Sequence, residues 1–390
     1  MKRIFSAVII GLFAAATLAE APFISPADDH LYLGNPDNIL FWGSKQKVAG
    51  FRNSQLISPV ARVAAGPHVL ELAKNTLPLG ATRLVHRGRS LTIDDYFTEF
   101  NTAGLLVIKD AVIVYERYDL GNNRETRWNS FSVAKSVTSM LLGAAIKEGY
   151  IDNVDEYVTD YLPALQGSAY DGVTIRHILH MTSGVAWDEN YADPESDIST
   201  VQWSSQKLYE HLQVSQRSSA PGEVFNYSTA ETQLVGDVVR SATGMSLSKY
   251  LGDRIWRPFG MESDAYWQLT APGEGEFGGS SLNATLRDYG RLGLFALGGG
   301  TLANGEEVLT EGWMTDSVTA SATNARYGYQ WWLGTGGVFE ASGIFGQSIY
   351  VDPKNAIVIA QHGARDSASE QQDWDAQAAA FRAISEAIGK

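Results

Sequence analysis

Residues 131–147, FSVAKSVTSMLLGAAIK, carry a serine, a lysine three positions on, and then an apolar repeat. Val133, Val137, Met140, Leu141, Ala144 and Ala145 recur at three- and four-residue steps. That period predicts a buried helix opening at Ser132, with Gly149 near its end. Residues i and i+3 share a helix face, so the Lys135 amine stands beside the Ser132 hydroxyl. Amides at a helix N-terminus favour negative charge developing there. A serine hydroxyl attacks only when a base takes its proton, and a lysine is such a base only once burial has removed its own.

The bare S-x-x-K string is common in this chain. Ser44/Lys47, Ser204/Lys207 and Ser246/Lys249 match it equally well and are expected on solvated faces. Only Ser132 opens a long apolar helix shortly after two β-branched runs, GLLVIKD (104–110) and AVIVYER (111–117), which predict a hairpin. A rigid, buried helix start suits a nucleophile.

Two later stretches complete the candidate site. PGEVFNYST (221–229) places Tyr227 after a Pro-Gly turn and before a helix expected over 229–242. A phenol beside a lysine ammonium is pushed toward phenolate and can exchange a proton with the serine. ASGIFGQ (341–347) is a strand whose glycines admit close backbone approach, so an amide there, with that of Ser132, can form an oxyanion hole.

Around these stretches, a short helix is expected over 174–180, an amphipathic helix over 283–296, strands over 327–333, 348–352 and 356–360, and a last helix over 373–388. Strands, then helices, then strands and a helix describe an α/β (α+β) chain. Its antiparallel sheet joins the two chain ends, is flanked by helices and carries an inserted, mostly helical lobe at about 150–285. Residues 20–100 are mixed and loop-rich, an N-terminal extension packed on the catalytic unit of 101–390.

The chain has 390 residues and a formal net charge of -14, which disfavours a nucleic-acid partner. It has no cysteine, which excludes disulfides, thiol nucleophiles and a lipidated cysteine anchor. Met1, Lys2 and Arg3 precede an apolar run over 4–18, and Thr17 and Ala19 supply a small-x-small exit. The run is too short to span a bilayer, so residues 1–19 read as a signal peptide cleaved after Ala19. The mature protein is expected to be secreted or periplasmic, with no stable membrane anchor.

Other features carry structural readings. His177 and His180 share a helix but lack a third ligand nearby, so no metal site and no cofactor are expected. The acidic run Asp188, Glu189, Asp193, Glu195 and Asp197 reads as a solvated loop. Trp331 and Trp332 alternate, one toward the core and the other toward a cleft or solvent. No G-x-S-x-G elbow occurs, which argues against an α/β-hydrolase.

The three elements in this order, with TIRHILHMTSG (174–184) and NATLRDYGRLG (283–293), resemble the serine β-lactamase and penicillin-binding-protein superfamily in its class C-like branch. Together with GFRN (50–53) and GIFGQ (343–347), the chain most resembles 6-aminohexanoate-dimer hydrolases and their esterase kin over nearly its whole mature length. The resemblance implies a β-lactamase/transpeptidase-like fold. It makes Ser132 the acylated nucleophile, Lys135 its hydrogen-bonded partner and Tyr227 the general base and acid. The amides of Ser132 and Ile344 would hold the oxyanion, and Tyr191 would contact the scissile amide. Two departures stand out. The family's Tyr-x-Asn reads Tyr227-Ser228-Thr229, and its Lys-Thr-Gly or His-x-Gly reads Ala341-Ser342-Gly343. A cation bound to a substrate carboxylate contributes about 1.5–3 kcal/mol, so its absence disfavours β-lactams and leaves esters and other amides open. The expected function is therefore an exported serine hydrolase of short linear amides or esters. The alternatives are a β-lactamase or D,D-peptidase, and a catalytically silent binding relative.

Overall fold

A computed structural model describes residues 23–368 and 370–389; the expected signal peptide lies outside them. Strands β1 (Thr102–Lys109) and β2 (Val112–Tyr118) form the predicted hairpin. It turns at Asp110 and Ala111, whose φ angles of 50° and 59° are the left-handed values that a two-residue hairpin turn favours. Four more strands, β3 (Trp332–Leu333), β4 (Phe339–Gly343), β5 (Gln347–Asp352) and β6 (Ile357–Gly363), complete an antiparallel sheet of order β2-β1-β6-β5-β4-β3. β1 pairs with β6, so the early and late strands of the chain meet at the sheet centre, as expected.

Alternate residues of β1 face opposite ways. Leu105 and Val107 pack with Phe381 and Ile384 of the last helix, Gln371–Ile388, on one face. Leu106 and Ile108 join the main core on the other. Burial on both sides explains why 104–108 shows no polar alternation. On the inner face, helix α1 (Val133–Lys147) packs against α2 (Thr229–Thr243), and α3 (Leu286–Leu297) lies on β5 and β6. α3 approaches so closely that a Cβ on Gly293 would stand 2.4 Å from Val358 Cγ1.

Two elements differ from the sequence expectation. The helix predicted over 283–296 begins at Leu286. Residues Leu282–Thr285 are instead a strand in a second, four-stranded sheet, and the Thr285 hydroxyl accepts the Asp288 N–H as the helix cap. Helical period alone does not see such a cap. The strand predicted over 327–333 is reduced to β3, because Gln330 adopts φ 64°. Its side chain there ties three segments: it accepts from Thr232 Oγ1 at 2.7 Å and donates to the carbonyls of Ile178 and Leu179.

Residues 23–100 pack against the rest of the chain in more than one place. Strands Arg83–His86 and Arg89–Thr92 and helix Ile93–Glu99 pack with the last helix and the main sheet. Helix Ser44–Arg52 instead carries Phe51 into a separate aromatic cluster with Trp42, Trp128, Phe131 and Phe345.

Candidate active site

The chain reaches Ser132 through a strained residue. Phe131 adopts φ 45°, which is uncommon for a bulky side chain. Its N–H donates to Asn129 Oδ1 at 3.0 Å, and its ring meets those of Phe51 and Phe345 edge-on. The GFRN and GIFGQ phrases thus converge on the turn before the serine. Ser132 occupies the N-cap of α1 without using its side chain as a cap. Its hydroxyl is left for chemistry at the floor of a cavity of about 560 Å³.

The structure brings Ser132, Lys135 and Tyr227 together. The Ser132 side chain stands beside the Tyr227 phenol and opposes part of the rise that burial imposes on it. Lys135 Nζ stands 5.3 Å from the centre of the Tyr227 ring, which also stacks on Trp332 at 5.6 Å and meets Tyr327 edge-on at 6.1 Å. The expected direct bond from Lys135 to Ser132 is replaced. The amine donates to Thr229 Oγ1 at 2.8 Å and to the Gly279 carbonyl at 2.9 Å, partners that α2 and the 279–281 loop bring to it. Burial pulls the Lys135 amine down to about 8, with the Glu189 carboxylate opposing part of that fall. The phenol does not move toward phenolate as the sequence suggested. Burial raises Tyr227 well above the ordinary phenol value, and the nearby Glu189 carboxylate adds to this. In the resting site the group that most readily sheds its proton is the amine.

Ile344 lines the same cavity as Ser132. Neither backbone N–H has an intrachain acceptor among the described residues. Two unengaged amides beside a serine can take up an oxyanion. Gly343 permits this approach, since a Cβ there would lie 2.5 Å from the Ser130 carbonyl.

Tyr191 also lines the cavity, and its hydroxyl donates to Glu189 Oε1 at 2.7 Å. Glu189 corrects the reading of 188–197 as a solvated loop. Its carboxylate turns inward and accepts from Trp187 Nε1, the Thr229 N–H (2.9 Å) and the Thr229 hydroxyl, in addition to Tyr191. The rest of the run behaves as a loop, with Asp197 accepting the Asp188 N–H at 2.8 Å. A signal for the inward residues was present: Trp187, Glu189 and Tyr191 alternate with the exposed Asp188, Asn190 and Ala192, the period of an extended segment.

The cavity roof comes from Pro36–Phe41, a segment the sequence did not single out. Trp42 anchors it by donating from Nε1 to the Asn35 carbonyl and to Asn38 Oδ1. The Arg52–Asp29 ion pair holds the chain just before it. Asp37 is the only ionisable acid or base other than Tyr191 among the cavity-lining residues; none of them is Lys, Arg or His. Ala341 packs into the main core rather than lining the cavity.

The competing motifs sort differently than expected in one case. Lys47 is buried, donates to the Arg365 and Asp366 carbonyls, and is pulled down to about 8 by desolvation. It ties helix Ser44–Arg52 to the segment after β6 and stands over the Phe345 ring. Lys207 and Lys249 are solvated, as predicted. His177 Nδ1 accepts the Thr174 N–H, and His180 packs on Tyr329. Trp331 is in the core, whereas Trp332 stacks on Tyr227.

Known proteins resemble this chain in sequence and in fold. The Beta-lactamase family model matches residues 93–381. The 6-aminohexanoate-dimer hydrolase of Paenarthrobacter ureafaciens is 30% identical over 293 residues, covering 68% of this chain and 74% of that protein. A Bacillus anthracis structure described as a "putative 6-aminohexanoate-dimer hydrolase" superposes with a TM-score of 0.80 at 23% identity, covering 88% of this chain and 94% of that one. A family VIII carboxylesterase shares the fold with a TM-score of 0.58 at 17% identity, over 73% of this chain and 93% of that one. With three quarters of its length inside the family model and a hydrolase relative matched across most of both chains, this chain belongs to the Beta-lactamase family and is a hydrolase close to 6-aminohexanoate-dimer hydrolase.

Proposed function

We propose that this protein is an exported serine hydrolase that cleaves short linear amides or esters through an acyl-enzyme on Ser132. The observation that carries the reading is the meeting of the Ser132 side chain with the Tyr227 phenol, beside a desolvated Lys135, with two unengaged amides on the cavity that Ser132 lines. Ser132 Oγ bonds the substrate carbonyl carbon while its proton enters the Tyr227–Lys135 pair. The carbonyl oxygen takes negative charge facing the Ser132 and Ile344 amides. The bond to the leaving nitrogen or oxygen then breaks, and the leaving group departs with the proton returned by Tyr227. Water, deprotonated by the same pair, attacks the ester on Ser132, releases the acid and restores the hydroxyl.

The cavity walls support a substrate without a carboxylate near the reacting bond. No cation lines them, and Ile39, Leu40, Phe41, Trp203 and Phe277 offer apolar surface to a linear chain. β-Lactams and D-alanyl peptides carry a carboxylate that would find no partner there. The leader read over residues 1–19 supports export.

Incubation with p-nitrophenyl butyrate, an aminohexanoate dimer and nitrocefin tests the substrate class. Turnover of one of the first two, with nitrocefin slow, is the expected pattern; fast nitrocefin with no ester or amide turnover would overturn it. A fluorophosphonate adduct located at Ser132 by mass spectrometry, and lost in Ser132→Ala, tests the nucleophile. Appearance of a processed N-terminus near residue 20 in the exported fraction tests the leader.

A further inference from the structure

The amine of Lys135 has more freedom than its role allows. A neutral amine carries two N–H groups and one lone pair, and only the lone pair accepts a proton. The Gly279 carbonyl can only accept, so it fixes one N–H. The second contact, Thr229 Oγ1 at 2.8 Å, is ambiguous in itself, because a hydroxyl can accept from the amine or donate to its lone pair. If it donated, the lone pair would be occupied and the base silenced.

Glu189 removes the ambiguity. The Thr229 hydroxyl donates to Glu189 Oε1, and the Thr229 N–H donates to Oε2 at 2.9 Å. With its one proton committed, that hydroxyl can only accept from Lys135. Trp187 Nε1 and the Tyr191 hydroxyl hold the carboxylate from the other side. Four donors converge on two oxygens, which only an ionised carboxylate satisfies in full.

We propose that Glu189 is a positioning residue: by accepting the hydrogen bond of the Thr229 hydroxyl it fixes Thr229 as an acceptor, consumes the second N–H of Lys135, and leaves the amine's lone pair for the Ser132–Tyr227 pair. The hydroxyl that replaces the family's side-chain amide at position 229 thereby works as one half of a Thr229–Glu189 unit. The inference rests on the proposed acylation of Ser132.

Burial and one carboxylate set the protonation of the amine, and three elements supply the titratable groups around that carboxylate. The 187–191 segment brings Glu189 and Tyr191, the start of α2 brings Tyr227 and Glu231, and the 327–332 loop brings Tyr327. Burial holds the three tyrosines well above their ordinary values, hence neutral, and holds Glu231 up to about 8. Glu189 is the carboxylate that favours the protonated amine.

The test is a set of variants read by kcat, KM and pH. Glu189→Gln replaces one acceptor oxygen with a donor. It is expected to lower kcat about 100-fold with KM nearly unchanged, and to move the acidic limb of kcat/KM to lower pH, since the carboxylate that held the proton on Lys135 is gone. Thr229→Ser keeps the hydroxyl and is expected to outrun Thr229→Val by about tenfold. Glu189→Gln combined with Thr229→Val is expected to lose little more than either alone, because both break one unit. A kcat loss with an unmoved limb, or losses that multiply in the double variant, would overturn the proposal. If Glu189→Gln does not fold, the Ser-against-Val comparison decides: equal rates would sink it. Glu231→Gln serves as the control, and the limb must persist there to be assigned to Lys135. Labelling by fluorophosphonate separates this proposal from the one beneath it. An adduct away from Ser132 removes the Ser132 acyl-enzyme reading, whereas full Ser132 labelling with wild-type kinetics in Glu189→Gln removes only the role of Glu189.

Discussion

Phe51 meets Phe131 edge-on, with ring centroids 4.9 Å apart. One belongs to a helix near the start of the described chain, the other is the strained residue that aims Ser132. Phe51 also touches Trp42, Trp128 and Phe345, so it links the segment after Pro36–Phe41, the turn before Ser132 and the turn that carries Ile344. Phe51→Ala is expected to cost about 3–5 kcal/mol in denaturant unfolding. Ester turnover by the folded fraction should fall too, as Phe131 relaxes from φ 45°. A loss below about 1 kcal/mol would mean that the cluster does not hold the turn.

The rate should depend on pH through Lys135. Its amine is held down to about 8 by burial and must be neutral to accept a proton. kcat/KM is expected to rise with pH and level off above about 8. A limb that stays in Lys135→Ala, or a profile flat from pH 6 to 9, would assign the titration elsewhere.

Glu231 predicts a stability effect of opposite sense. Its carboxyl is fully buried and pushed up from 4.5 to about 8, while Ser183 donates to Oε1. Between those values the folded state binds a proton that the unfolded chain releases, so stability falls as pH rises from about 5 to 8. Glu231→Gln keeps an acceptor for Ser183 and removes the ionisation. Its melting temperature should decline less over that interval than the parent's; identical slopes would refute the assignment.

Gly343→Ala should abolish turnover with a smaller effect on folding. The added Cβ would sit 2.5 Å from the Ser130 carbonyl, so β4 and the Ile344 amide must move away from Ser132. A kcat within twofold of the parent would show that Ile344 does not hold the oxyanion.

Arg52 and Asp29 form a nearly buried, two-pronged ion pair, with Nε–Oδ2 at 2.6 Å and Nη2–Oδ1 at 2.5 Å. Asp29→Ala leaves a buried guanidinium short of its partner, at a cost of about 3–5 kcal/mol. The roof over Pro36–Phe41 should loosen, raising KM more than it lowers kcat. Unchanged KM for a long-chain ester would place the roof outside the binding path.

The strands of the hairpin, the two long helices at the site and the serine proposed as nucleophile were legible in the sequence alone. Each of these is written in neighbouring residues: β-branched apolar runs in 104–108 and 112–115, three- and four-residue steps in 133–145, a serine where that pattern begins. The sequence left the surroundings of Lys135 unread. Thr229 and Gly279 lie 94 and 144 positions away from the lysine they contact, and no periodicity spans such distances. Glu189 looked like one more solvated acid because charge in a loop carries no direction; the packing of Trp187 and the start of α2 turned it inward. The same holds for Tyr227. Local chemistry suggested a phenolate, yet burial of the whole site decided which group holds the proton, because desolvation depends on everything that surrounds a side chain rather than on what precedes it in the chain.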